Sequence, residues 1–376
     1  MALTKATHRM IEGASVNVKD YGAVGDGVTD DTAAIQAAFD TTQTVIIPAG
    51  TYKLTAMVTI KGDVIGEYGS LLKFYGTLIT KFINRTVAGS ITGISIDGTN
   101  VTDGQYGIFV DMEYEPENEV YSDITVTNIT STTVSTHGIL IYRSSSSTTL
   151  GGNFTIDNCY VKGISGSSVS KGIAVAFNNE STTSLVINAC TVKDVTPVAD
   201  GDAIHIASDS FLTATLTDSD YGATISNCFV SSSVPMKRAI KIQYDNAKVV
   251  NNTVIGDNIG IGYDSYANNT LFDGNSYTET TSGYEAYNLH YKSGQSISNA
   301  TIVMNSYGAR VIRLYDATNA KLSNIDIEYK GTALSDAVGM IELQDDSSAI
   351  ANNINIRADV VAGSGITIMG TSTLEI

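Results

Sequence analysis

Short bursts of alternating apolar and polar residues recur along most of this chain. Gly107-Ile-Phe-Val110, Gly138-Ile-Leu-Ile141, Gly172-Ile-Ala-Val175, Ala203-Ile-His-Ile206 and Ala239-Ile-Lys-Ile242 each set two apolar residues around one variable position. That period of two predicts a strand with one buried face. Further copies read Gly260-Ile-Gly-Tyr263, Asn288-Leu-His-Tyr291, Val311-Ile-Arg-Leu314, Met340-Ile-Glu-Leu343 and Gly365-Ile-Thr-Ile368. The start advances 31 residues from Gly107 to Gly138 and 23 from Asn288 to Val311, about one solenoid coil per step.

A second unit lies between copies of the first. It reads Thr155-Ile-Asp-Asn-Cys-Tyr-Val161, Val186-Ile-Asn-Ala-Cys-Thr-Val192 and Thr224-Ile-Ser-Asn-Cys-Phe-Val230, with echoes at Val249–Ile255, Ser296–Ile302, Leu322–Ile327 and Ala351–Ile356. The Asn marks a tight turn between strands, because Asn tolerates left-handed backbone geometry and its amide can bond from coil to coil. Cys159, Cys190 and Cys228 each follow this turn, two residues before a Val. The spacing predicts a stack of small buried thiols; an odd number without a Cys-x-x-Cys pair fits neither a disulfide framework nor a zinc site.

Strands with no helices between them, at spacings too irregular for hairpins, stack in parallel, and chirality makes such coils right-handed. The expected fold is all-β: a right-handed single-stranded parallel β-helix over residues 45–376, preceded by an N-terminal segment, residues 1–44, that carries a short capping helix. About ten or eleven coils at ~4.8 Å give a rod of roughly 50 Å. In the entry segment, Val16 opens a short strand and Gly/Asp turn, and a helix follows with its cap at Thr29 or Asp30. Ala34, Ile35, Ala38 and Phe39 give that helix one apolar face suited to covering the open first coil.

Composition narrows the partners. Charged residues are 16% of the 376, and the net charge is -17, which excludes nucleic acid as an expected partner because phosphate binding needs basic surface. No window has the ~20 apolar residues that span a bilayer, so no membrane insertion is expected. The start MALTKATHRM lacks the apolar core of a signal peptide.

The run Asp20-Tyr-Gly-Ala-Val-Gly-Asp-Gly-Val-Thr-Asp-Asp-Thr-Ala-Ala-Ile-Gln-Ala-Ala38, followed by Val45-Ile-Ile-Pro-Ala-Gly-Thr-Tyr52, resembles the N-terminal signature of the pectate-lyase-like β-helix superfamily. That superfamily includes polygalacturonases and bacteriophage tailspike depolymerases. Met1-Ala-Leu-Thr-Lys5 and Met10-Ile-Glu-Gly13 look like the opening of tailspike-type proteins. The resemblance implies a homotrimer on a phage virion, in contact with other tail proteins, binding and often cleaving a surface polysaccharide. Many tailspikes add a C-terminal trimerisation domain; here the last coil unit stands close to Ile376. The signature seats the first coils and says little about the reaction.

The repeat gives the chemistry an address. With Ile and Val inward, the outer column reads Phe109 and Asp111, Leu140 and Tyr142, Ala174 and Ala176, His205 and Ala207, Lys241 and Gln243, Gly262 and Asp264, His290 and Lys292, Arg313 and Tyr315, Glu342 and Gln344. A basic strip on an acidic chain suits an acidic polymer. In β-elimination from a uronate a cation neutralises the carboxylate and a base removes the C5 proton. His205, Lys241 and Arg313 are candidates for these roles, with Tyr244 a further base; Tyr142, Gln243, His290, Lys292, Tyr315 and Glu342 are candidate substrate contacts. Hydrolysis would need a carboxyl pair, for which Asp200 and Asp202 are the candidates, although both also suit a turn. Arg238-Ala-Ile-Lys241 faintly resembles the Arg-Ile-Lys of polygalacturonases, whose Asn-Thr-Asp and Gly-His-Gly are missing. No cofactor is expected. Glu113–Glu119 is an acidic loop that could bind calcium or simply be solvated, and Ser144–Thr149 reads as a flexible loop. The functional expectation is a depolymerase of an acidic surface polysaccharide, a lyase ahead of a glycosidase. A receptor-binding or structural virion protein that holds sugar without cutting it is the alternative.

Overall fold

The structure is a computed structural model that describes residues 15–85, 87–111, 118–142, 150–177, 181–208, 222–256, 258–280, 285–305, 310–330, 340–358 and 365–376. Met1–Gly13, most of the acidic loop and Ser144–Thr149 fall outside the described residues.

Strands make up 67% of the described residues, and they pair in parallel with a strand one coil away. Thr125–Thr130 pairs with Tyr160–Ser165, which pairs with Thr191–Thr196. Glu119–Ser122, Leu150–Asp157 and Ser181–Asn188 form a second such ladder, and Thr136–Tyr142, Val169–Phe177 and Asp200–Ser208 a third. The result is a right-handed parallel β-helix. Its core holds one apolar residue above another: Ile108, Ile139, Ile173, Ile204, Ile240, Tyr263, Tyr287, Ile312 and Ile341 occupy one register position, all buried.

That register corrects two coils of the outer column. Tyr263 stands at the level of Ile240, so Asp264, not Gly262, continues from Lys241, and Asn288 follows. His290 moves to the neighbouring position beside Tyr315, while Lys292 lies beyond the strand end. The bulky aromatic fills the space an Ile fills elsewhere, and the apolar pattern alone reads its coil two residues out of step.

The predicted turn ladder is present. Asn128, Asn158, Asn227, Asn251, Asn299, Asn324 and Asn353 have φ between 50° and 59°. Their amides bond across coils, as in Asn353 Nδ2 to Asn324 Oδ1 at 2.9 Å and Asn324 Nδ2 to Asn299 Oδ1 at 3.1 Å. In the coil of Cys190 the left-handed residue is Ala189, φ 52°. The three cysteines are free and buried one above another, their neighbours Tyr160, Thr191 and Phe229 sharing register. Cys190 Sγ donates to Asn188 O at 3.3 Å.

Near the N-terminus one helix spans Thr32–Phe39 and buries Ile35, Ala38 and Phe39. Its N-cap is Asp31, whereas Thr29 and Asp30 end the strand Asp26–Asp30. The Asp31 carboxylate turns back to accept from Val24 N at 2.7 Å and Gly25 N at 3.0 Å, so it holds the Gly/Asp turn, not the helix.

Candidate functional site

The face that carries the variable position is wider than one column. Before the inward Ile or Tyr of the first unit, at Gly138, Gly172, Ala203, Ala239 and Ala286, the strict alternation breaks. A Cβ on Gly172 would meet Val192 Cγ1 at 2.4 Å and Ala203 O at 2.6 Å, so the backbone packs tightly there. The break turns the preceding residue toward the same side as the variable position. A second column results: Tyr106, His137, Lys171, Asp202, Arg238, Ile261, Glu285 and Arg310.

The two columns enclose a cluster of charges. Arg238 Nη1 lies 2.6 Å from Asp200 Oδ1 and 2.8 Å from Asp202 Oδ1, and Arg238 Nε is 2.7 Å from Asp264 Oδ2. Asp264 Oδ1 is in turn 3.0 Å from His290 Nε2. Asp202 Oδ2 lies 3.7 Å from Lys171 Nζ and 3.3 Å from His205 Nδ1, and Lys171 Nζ contacts that same ring nitrogen. His205 Nε2 is 2.8 Å from Gln243 Oε1. A carbonyl oxygen accepts, so Nε2 carries the proton and Nδ1 offers its lone pair to Lys171. Further along, Glu285 Oε1 stands between Arg310 at 3.5 Å and Arg313 at 3.7 Å, and Glu342 pairs with Arg310.

Burial sets the protonation of this cluster. Lys171 is 1% exposed, and desolvation brings its ammonium down to about 8 against the pull of Asp202. Burial, reinforced by Lys171 and Lys241, keeps His205 neutral, well below the usual imidazole range. His137 is pushed down to about 3 by burial and by Lys171. Burial raises the Asp202 carboxyl against Arg238 and Lys171; on Asp200 burial also pulls upward but Arg238 outweighs it.

A cavity of about 310 Å³ opens beside Lys171 and His205, lined by Tyr106, Phe109, His137, Leu140, Tyr142, Ala174, Ala176 and Ala207. On the other flank a cavity of about 570 Å³ is lined by Lys237, Glu285, Arg310, Pro197 and Pro235. Among the described residues no group of three or more His, Cys, Asp or Glu is arranged to hold a metal ion. Glu119, from the acidic loop, is buried against Tyr121.

The structure redistributes the predicted site residues. His205, Lys241, Gln243, Asp200 and Asp202 come together around Lys171 and Arg238. Arg313, Tyr315, His290 and Glu342 line the next coils, and Tyr142 walls the cavity. Tyr244 belongs to the hydrophobic core cluster, which removes it as a base in the groove. The strip is also not simply basic: Arg313 and Arg310 face Glu285, and Arg238 faces three aspartates. Lys241, by contrast, forms no ion pair within 4.0 Å among the described residues, and its Nζ stands 5.7 Å from the Tyr266 ring centre. Lys171, His137, Glu285 and Arg310 escape a reading based on alternation because the break hides them. The signal for them is a polar residue directly before the small residue, as in His137-Gly, Lys171-Gly, Asp202-Ala, Arg238-Ala and Glu285-Ala.

Residues 15–264 match the family model described as rhamnogalacturonase A/epimerase, pectate lyase-like. Mannuronan C5-epimerase AlgE5 of Azotobacter vinelandii is 35% identical over 115 residues, 29% of this chain but 10% of that protein's length. The A-module of Azotobacter vinelandii mannuronan C5-epimerase AlgE6 superposes with a TM-score of 0.59 at 15% identity, covering 96% of this chain and 99% of the module. The Dettilon tailspike protein gives a TM-score of 0.56 at 13% identity, with 94% of this chain and 68% of the tailspike covered.

Proposed function

The chain belongs to the rhamnogalacturonase A/epimerase family of pectate lyase-like proteins, and on that premise we propose that it modifies an acidic polysaccharide by removing the C5 proton of a uronate residue. One observation carries the reading: the Lys171 amine, brought down to about 8 and held against neutral His205, stands at the wall of a cavity of sugar-ring size. Such an amine is a base near neutral pH. Gln243 fixes the His205 tautomer, and His205 thereby orients Lys171. Lys241 supplies the positive charge for the substrate carboxylate, with Arg313 further along the groove. The C5–H electron pair then forms the C4=C5 double bond, the C4–O bond breaks, and the leaving oxygen takes a proton. Tyr106 lines the same cavity, and burial keeps its phenol protonated, which suits it to give that proton.

Asp200 and Asp202 do not suit hydrolysis. Both accept from the same Arg238 nitrogen, so a guanidinium occupies the space between them where a glycosidic bond would have to lie. Epimerisation is the second reading, favoured by the similarity to mannuronan C5-epimerases. It shares the first step and returns a proton to C5 from the opposite face. In either reading the chain works as a tailspike-type component of a phage particle, a homotrimer acting on the polysaccharide of a host surface; the fold similarity to a tailspike supports this.

Incubation with polymannuronate, polyguluronate and polygalacturonate tests the proposal. Elimination raises the absorbance near 235 nm. Deuterium entering C5 from heavy water without chain cleavage identifies epimerisation. New reducing ends without unsaturation would overturn proton abstraction in favour of hydrolysis. Binding with no change in the polymer would make the groove a receptor site.

A further inference from the structure

The backbone at Tyr291 departs from the rule that nearly every comparable corner obeys. Among the described non-glycine residues with positive φ, all are Asn or Asp except Ala189 and Tyr291, the latter at φ 51°. In the next two coils the same corner is held by Asp316 and Asp345, at φ 53° and 47°. A bulky aromatic in left-handed geometry is strained, and strain of this kind is kept where a side chain is needed in one place. The Tyr291 side chain is no core anchor that would explain the choice, since the residue is 54% exposed.

Its ring instead completes a surface. Tyr291 meets Tyr315 edge-on at 5.0 Å and His290 at 5.8 Å, while Tyr266 stacks on His290 at 4.3 Å and 3°. Arg313 Cζ stands 4.9 Å from the Tyr315 ring centre. These rings come from three successive coils, and the His290–Asp264–Arg238 chain of contacts joins them to the charged cluster. Flat apolar rings beside a cation match a pyranose, whose axial C–H face is apolar and whose uronate edge is negative.

We infer that Tyr291 is the outer ring of an aromatic platform, with Tyr266, His290 and Tyr315, that binds a uronate residue of the polymer several coils from Lys171. The identity of the sugar rests on the function proposed above; the platform itself requires no chemistry at Lys171. It makes the groove a multi-residue site, gripping the chain away from the reacting bond.

Strain and binding should separate on substitution, which a purely structural role would not produce. Binding of nine-residue oligomers of mannuronate, guluronate and galacturonate is measured by calorimetry in the Lys171→Ala background, so that the probe is not consumed. Tyr291→Asn should raise the unfolding midpoint by about 1–2 °C, through relief of strain, while weakening affinity roughly fivefold or more. Tyr291→Phe, which keeps the ring, should bind within about twofold of its parent. Undiminished affinity in Tyr291→Asn would overturn the platform and leave the proposed reaction standing. A parent that binds none of the three oligomers would overturn the ligand class and with it the proposed function.

Discussion

Two columns of this rod stack residues from coil to coil, and they obey opposite rules. Along the turn ladder similar residues stack: Asn amides bond to an Asn or Asp of the coil before, as at Asn158, Asn299, Asn324 and Asn353, and the three cysteines lie one above another. Along the second column of the groove every residue differs from its neighbours, and Lys171, Asp202, Arg238 and Glu285 place charges where a repeat would place none. The first arrangement is how a solenoid gains stability from nearest-neighbour contacts. The second buries ions at a cost that packing alone would not select. Variation at a position that the fold could have filled repetitively is what separates site from scaffold here.

Removing the centre of the varied column should have the largest effect. Arg238→Met leaves Asp200, Asp202 and Asp264 without their shared partner and should cost about 3–5 kcal/mol in denaturant unfolding. Lys237→Ala, which removes the half-exposed 3.2 Å contact to Asp200, should stay within about 0.5 kcal/mol. Equal costs for the two would mean that the cluster does not hold this face together.

Lys171→Ala should lower turnover of the responsive polymer by about 10²–10⁴-fold, and the wild-type rate should rise with pH through about 8 as the amine loses its proton. A stability signature accompanies it. The folded-state value lies below the ordinary 10.5, so between pH 8 and 10.5 the unfolded chain binds more protons and stability rises with pH. Below pH 8 the cost of burying the charge is present in full. Lys171→Met should lose this rise in chemical denaturation across that window; a variant with the wild-type slope would show that the lysine is not buried as a charge.

The repetitive column should respond only as a scaffold. Cys190→Ala removes one buried sulfur and should cost about 1 kcal/mol with turnover unchanged. A loss of activity would assign this thiol a role that its place in the core denies. Ala189→Asn is the smallest change and should gain a few tenths of a kcal/mol, about 0.5, because Asn suits the left-handed corner that Ala occupies under strain. A thermal midpoint that falls would break the equivalence of Ala189 with Asn158 and Asn227.

Much of the fold is legible in the residues because a solenoid writes its core once per coil. The Ile-x-Val bursts give the inner face, and the Asn-Cys unit gives a corner with its stack of thiols. Legibility fails where a residue satisfies the pattern in the wrong place. Tyr263 and Tyr287 occupy Ile positions, so the apolar spacing slides by two in both coils and sends Asp264 and His290 to the wrong column. It fails again at Gly172 and its equivalents, where a break in alternation brings Lys171 to the groove although a strict period of two would leave it unassigned. His205 and Lys241 are visible from the pattern; Lys171, which contacts His205, is not.

The constant spacing of the coils has a further consequence. Each adds about 4.8 Å to the groove whatever residues it carries, so under the proposed function the rod would act as a ruler laid beside a polymer. Inserting or deleting one complete coil between the Lys171 cavity and Tyr291 would change how many sugars are counted between grip and reaction without redesigning either end. Product length, in such a molecule, would be a property of architecture and could be edited in whole units.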